Sequence, residues 1–444
     1  MIAGLRSTGG WLYRISDRAL YAVLAIGVLT SPFYRFEYLR ATLLGTAVVP
    51  ASAALAVLAL GLCVAWRSLL RRDFAWAEPA WLTWTDSGDG RIHLIGRRLW
   101  TGWIVRFAAV GYLAAVSVLV LGETGWLAAG CALFSGVALL AVVVARRAPG
   151  RAEPWLEYAV IAATVVLAGT AAVTSVGSLP LWVLAGLAVV SAVVLAFGSG
   201  RPRRPAVAVS AGRADLVRGY AERTVRRVMV SFGDALALLP PPGRLPFPRL
   251  LGGRAVVARF VLAGVLSRAR VGLLAVLCVV VIVVAHQVFP VVSPVWLVGV
   301  GMYFAGVPFA AGLASLWAVP GLRRWLGCAD ITLRLATAVV VAAIALAVVG
   351  LVAAFAVPVP VAVWLAVPLA VGAVVRTVTR KPLDFANVGV AATPQGYLLP
   401  VGLLAQLVHG PDLLVIGLLI VASGLLVAAL APAAVALAAY GVAR

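Results

Sequence analysis

The chain is predicted to be an all-α, polytopic membrane protein, with about eleven or twelve spanning helices arranged as two pseudo-repeated halves. Three observations lead there. The 444 residues are 64% hydrophobic and only 11% charged, and the mean hydropathy of +1.08 excludes a soluble globule. Apolar runs long enough to cross a bilayer recur along the whole length. The basic residues gather in alternate connections between those runs, the distribution expected of cytoplasmic loops.

The N-terminal stretch holds Gly4, Arg6, Gly9, Gly10 and Arg14 before the first apolar run, without the small-residue cleavage pattern of a removed leader. It is expected to stay on the protein. The clearest spans are residues 41–66, 107–122, 125–145, 158–176, 178–199, 271–289, 294–317, 335–357 and 411–430. Residues 19–33 and 359–375 are shorter spans. The apolar tail from Pro432 to Arg444 is either a short twelfth span or the end of the eleventh.

With 36 basic against 15 acidic residues the net charge is +21. A soluble protein with that charge would suggest nucleic acid, but the sequence carries no motif for reading it, so no nucleic-acid partner is expected. If the N-terminus is cytoplasmic, every basic residue except Arg35, Arg40 and Arg444 falls on the inner side, and the outer turns around Glu123, Gly177, Pro290 and Pro358 have none. This orientation places the protein in the cytoplasmic (inner) membrane of a cell.

Residues 200–270 form the longest polar interruption and separate a first half, 1–199, from a second, 271–444. The interruption begins as a linker, Gly200 to Pro205. Leu216, Tyr220, Val228, Phe232 and Leu236 then recur at multiples of four, with Arg213, Arg218, Arg223, Arg226 and Arg227 mostly between them. That pattern predicts a basic amphipathic helix on anionic lipid of the inner leaflet, with a solvated helix or linker as the alternative. Pro240 to Pro242, Pro246 and Pro248 end it, and a second basic stretch, Arg254 to Arg270, leads into the next span.

The two halves share short signatures in a common order. Trp81-Leu82 precedes Asp86 as Trp325-Leu326 precedes Asp330, each pair after a basic stretch and before the third span of its half. The fifth spans open with Pro154 and Glu157 and with Pro411 and Asp412, ordinary helix-start signals. Duplication is the expected origin.

The chemistry the sequence lacks narrows its function. Lys381, the single lysine, lies in Arg380-Lys381-Pro382 with no phosphate-binding glycine loop around it. All fifteen acids fall in loops or at helix ends, and His93, His286 and His409 are peripheral, which disfavours a proton relay within the bilayer. Backbone-coordinated Na⁺ coupling stays open. Asp86 and Asp89 with His93, and Asp384 with Asn387, read as solvated turns rather than metal sites. Cys63, Cys131, Cys278 and Cys328 are scattered and read as small apolar residues. No catalytic residue, bound cofactor or metal is expected. Gly306, Gly312, Ala314 and Ser315 are expected to let helices approach closely, and Pro50, Pro180, Pro308 and Pro368 are placed inside spans, where proline can kink a helix.

Two halves of about six helices, each entered by a basic elbow and each with a cytoplasmic segment between its second and third spans, resemble ABC-2-type exporter permeases. The stretch from Thr393-Pro-Gln-Gly396 through Leu404 and Gln406 to Gly410-Pro-Asp412 is similar to a segment of a family of actinobacterial polytopic membrane proteins assigned to that transporter group. The resemblance implies an exporter permease for an amphiphilic or lipid-like substrate, with ATP bound on a separate P-loop ATPase present in two copies. It implies docking segments at Trp81 to Arg98 and Gly321 to Arg334. Trp81, Asp86, Arg97, Arg98, Arg323, Arg324, Trp325 and Asp330 are the candidate docking residues. The fused halves and the short last hairpin depart from the usual six-helix dimerising chain. A non-transporting scaffold or degenerate permease, and a carrier working without ATP, remain alternatives.

Overall fold

The computed structural model describes residues 23, 26–46, 49–70, 76–85, 90–121, 158–159, 161–166, 168–169, 212–231, 255–355, 357–380, 390–392, 398–400, 408–423, 436, 439–440 and 442. The described part is helical apart from one short ribbon. In chain order the helices are α1 (Phe36–Leu44), α2 (Ala51–Leu70), α3 (Pro79–Thr85), α4 (Gly90–Leu121), α5 (Arg213–Ser231), α6 (Val256–Leu266), α7 (Gly272–Val288), α8 (Pro294–Ala318), α9 (Pro320–Trp325), α10 (Asp330–Ala354), α11 (Val361–Val378) and α12 (Pro411–Ala422). A 3-10 turn, Ala269–Val271, joins α6 to α7.

Four helical segments are long and apolar enough to cross a membrane: Ala269–Val288, Pro294–Ala318, Asp330–Ala354 and Val361–Val378. They coincide with four expected spans of the second half, within a few residues at each end. Large apolar side chains stand exposed on them, among them Phe304, Val339, Leu346, Val361 and Trp364. Water would make such surface unfavourable, whereas lipid accommodates it. The chain is a membrane protein.

α8 is the axis of this half. α7, α10, α11, α12 and α6 all pack against it, and its inward positions Val298, Met302, Ala305, Ala310 and Leu313 are buried. Glycines set the spacing. A Cβ on Gly306 would lie 3.1 Å from Val341 of α10 and 3.3 Å from Val374 of α11. Gly312 meets Gly264 of α6 backbone to backbone. The small-residue expectation at Gly306 and Gly312 is met as packing. Burial is uneven: 67% of the apolar stretch of α11 is buried against 33% for α10, so α10 turns most of its surface outward.

Several expected boundaries move. The span placed at 41–66 is broken: α1 ends at Gly45, whose φ of +58° suits glycine, and α2 begins at Ala51. Pro50 therefore precedes α2 instead of lying within a span, while Pro308 and Pro368 do lie inside α8 and α11. The expected span at 107–122 is the C-terminal part of the longer α4. Residues 125–145 and 178–199, Pro180, Pro154 and Glu157 lie outside the described residues, as do 160, 167 and 170–176 of the span expected at 158–176. A two-stranded antiparallel ribbon, β1 (Val390–Ala392) with β2 (Leu398–Pro400), pairs Val390 with Pro400 and Ala392 with Leu398, a departure from a wholly helical reading.

Candidate functional site

The two segments expected to dock a partner each form a short helix between long ones. In the first, Pro79 sits at the first position of α3, where its fixed φ favours a helix start and its missing N–H costs no hydrogen bond. Leu82 is buried, Trp81 half-buried and Trp84 exposed. Asp86 lies outside the described residues. α4 then carries Arg97 outward and Arg98 inward.

Arg98 is a fastener within the protein. Its Nη1 donates to the Trp76 carbonyl, and its guanidinium lies 3.3 Å from the centroid of the Trp76 ring. The Arg223 guanidinium of α5 also lies over that ring, at 4.7 Å, and Tyr220 stands beside it with centroids 5.8 Å apart. Burial and then the charge of Arg223 push Arg98 down to about 10, so Arg98 remains charged at neutral pH. Cation–π attraction of about 0.5–2 kcal/mol per pair offsets their repulsion.

The same contact seats α5 on α3. Ala77 N donates to the Leu216 carbonyl at 3.0 Å, Arg213 Nη2 donates to Thr83 Oγ1 at 3.4 Å, and Leu216 is fully buried. The amphipathic helix foreseen on lipid thus turns two of its stripe residues, Leu216 and Tyr220, against protein. Phe232 and Leu236 lie outside the described residues.

The second segment repeats the plan with different fastenings. Pro320 starts α9, and Gly327, at φ +59°, turns the chain toward α10. Arg323 Nη1 is 3.3 Å from Asp330 Oδ2 in a half-exposed pair, which contributes roughly 0–1 kcal/mol. Arg323 and Arg334 also stand over the buried Trp317 ring at 4.9 and 5.0 Å. Arg324 is exposed and Trp325 closes α9. Of the eight expected docking residues, the structure thus ties Arg98, Arg323 and Asp330 into the chain itself. It leaves Arg97 and Arg324 presented outward.

Sequence reasoning missed a third polar group, at the junction of α11 and α12. Arg376 Nη2 donates to Asp412 Oδ2 at 3.1 Å, and its Nε and Nη2 each stand 3.3 Å from the His409 ring. Asp412 Oδ1 accepts from the Gly410 and Leu413 amides at 2.8 and 2.7 Å, so the acid both starts α12 and ties it to α11. Burial, then the nearby Arg376, lowers the His409 pKa against the opposing pull of Asp412. Just inside, Tyr303 donates to Thr377 Oγ1 at 3.1 Å, and Thr377 donates to the Ala373 carbonyl at 2.7 Å. Asp412 was readable as a helix start, but its pairing with Arg376 depends on an antiparallel return that no local pattern announces.

No family model, curated protein or solved structure matches this chain, and its functional reading therefore rests on its own residues.

Proposed function

We propose that the chain is the membrane-spanning subunit of an ABC-type exporter, built of two similar halves in the cytoplasmic membrane with its N-terminus inside. It moves an amphiphilic or lipid-like substrate with energy from a separate P-loop ATPase bound in two copies. The observation that supports this reading is the pair of proline-started helices, α3 and α9, each set between two long apolar helices and each with an outward arginine nearby, Arg97 on α4 and Arg324 within α9. A lever of that kind needs no reactive side chain. It needs fastening to the helices it moves, and the Arg98–Trp76 contact, with a weaker contribution from the half-exposed Arg323–Asp330 pair, supports that reading.

Arg97 and Arg324 are the residues to test, because reversing Arg98 or Arg323 would also disturb internal packing. The chain is purified from its native membrane and its associated proteins are identified, then ATP hydrolysis of the complex is measured with and without Arg97→Glu and Arg324→Glu. A P-loop ATPase should co-purify, and the paired reversal should lower coupled hydrolysis roughly tenfold, while Arg218→Glu on exposed α5 should not. Native preparations that never contain an ATPase would overturn the proposal and favour a scaffold.

A further inference from the structure

Among its described arginines the chain buries one that it does not neutralise. Arg268, between α6 and the 3-10 turn, is only 8% exposed. Its Nη1 donates to the Gly264 carbonyl at 3.2 Å, an oxygen that also accepts from Ser267 Oγ at 3.0 Å. Its Nε is buried with no acceptor, and no carboxylate pairs with it among the described residues. Other inward arginines are answered: Arg376 by Asp412, Arg323 by Asp330, Arg98 by the Trp76 carbonyl and indole.

The position is held from several sides. Arg268 N donates to the Val265 carbonyl and Val271 N donates to that of Arg268. On α8, a Cβ at Gly312 would stand 3.6 Å from Arg268 Nη1 and 3.2 Å from Gly264 Cα. The guanidinium therefore lies against helix backbone left bare by two glycines, and among the described residues no side chain answers its charge. Arginine cannot shed its proton to escape this, and an unpaired buried charge is strongly unfavourable. An anion from outside the chain resolves the imbalance.

The surroundings select the kind of anion. Arg268 immediately precedes the apolar segment Ala269–Val288 and follows apolar α6, on which Val256 and Leu262 are exposed. Exposed Arg270 lies two residues on. A charge at a hydrocarbon boundary, flanked by apolar surface and a second cation, fits a headgroup whose acyl chains are already in the bilayer better than a free ion. Phosphate oxygens match the planar guanidinium fork. We infer that Arg268 anchors a binding site for the phosphate of an anionic phospholipid at the membrane edge of α6 and α7. This site is independent of any ATPase partner.

The full chain is reconstituted in nanodiscs of phosphatidylcholine alone or with phosphatidylglycerol, and thermal unfolding is followed together with lipid retention by native mass spectrometry. The wild type should gain thermal stability with phosphatidylglycerol and retain one such lipid per chain after delipidation. Arg268→Met should lose that gain and retain the lipid roughly tenfold less. In phosphatidylcholine alone it should be at least as stable as the wild type, since the uncompensated charge is gone. Arg40→Gln, at an exposed arginine expected on the opposite side of the membrane, should behave as the wild type. If Arg268→Met does not fold, Arg268→Lys, which keeps the charge without the fork, should show a reduced gain. An absent phosphatidylglycerol effect in the wild type, an undiminished one in both Arg268 variants, or the same stabilisation by inorganic phosphate in phosphatidylcholine discs would each overturn the assignment.

Discussion

Gly410→Ala places a methyl group where the junction of α11 and α12 leaves no room. Gly410 holds φ +114° and ψ −63°, a conformation that costs an L-residue about 1–3 kcal/mol. The new Cβ would collide with Thr377 Oγ1 and stand 2.9 Å from both Thr377 Cα and N. Backbone cannot swing aside as a side-chain tip can, so overpacking adds about 1–3 kcal/mol. Displacing the Thr377 hydroxyl from Tyr303 removes a further ~1 kcal/mol. The expected loss is about 3–7 kcal/mol, or roughly 10 °C in Tm, measured by calorimetry or tryptophan fluorescence in detergent. Two controls apportion it. Tyr303→Phe should cost only ~1 kcal/mol. Gly350→Ala, at an exposed position of α10 with open space around it, should stabilise by ~0.5–1 kcal/mol. A Gly410→Ala loss below ~1 kcal/mol, or one matched by Gly350→Ala, would refute the packing argument.

Acidification should loosen the same junction. The folded state holds His409 below its ordinary pKa, first by burial and then by Arg376, so stability is present above the unfolded value near ~6.5 and falls as pH drops through it toward the folded pKa, by at most ~1.4 kcal/mol per pH unit. His409→Gln should flatten that slope in a pH series of thermal melts; a slope unchanged by the substitution would remove His409 from the account. Arg98→Met should release α5, with amide exchange across Arg213–Ser231 rising roughly tenfold or more from the loss of a charged hydrogen bond and a cation–π contact; unchanged exchange would show that the remaining contacts, at Leu216, Tyr220 and Arg213, seat the helix without Arg98. Asp412→Asn should destabilise α12 by roughly 3 kcal/mol, because it leaves Arg376 largely buried without its counter-charge.

Much of the second half was legible because the bilayer imposes a strong one-dimensional rule. A span such as Pro294–Ala318 announces itself by length and apolarity, and Pro294 marks its start. Pro411 and Asp412 likewise read as a helix opening, and α12 begins there. The break at Gly45 was not legible, since the sequence stays apolar across 41–66 and only the positive φ ends α1. The ribbon escaped notice because three-residue strands carry no usable periodicity. The fate of the arginines depended most on tertiary structure. Arg97 and Arg98 are neighbours on paper, yet α4 turns one outward and the other onto Trp76. Arg268 looked like one more basic residue of a polar stretch, and its burial comes from the close crossing at Gly264 and Gly312.

The seat that α5 takes on α3 has a consequence for biogenesis. Arg213 and Thr83 are 130 residues apart in sequence, so at ribosomal speeds of ~5–20 residues per second the nascent chain spends roughly 10 s with the Trp76 indole and the hollow for Leu216 uncovered. The contact between α5 and residues 76–83 can therefore close only after the intervening stretch has been made. A translational pause before α5 has left the ribosome would prolong that interval directly and leave the hollow for Leu216 open to chaperones.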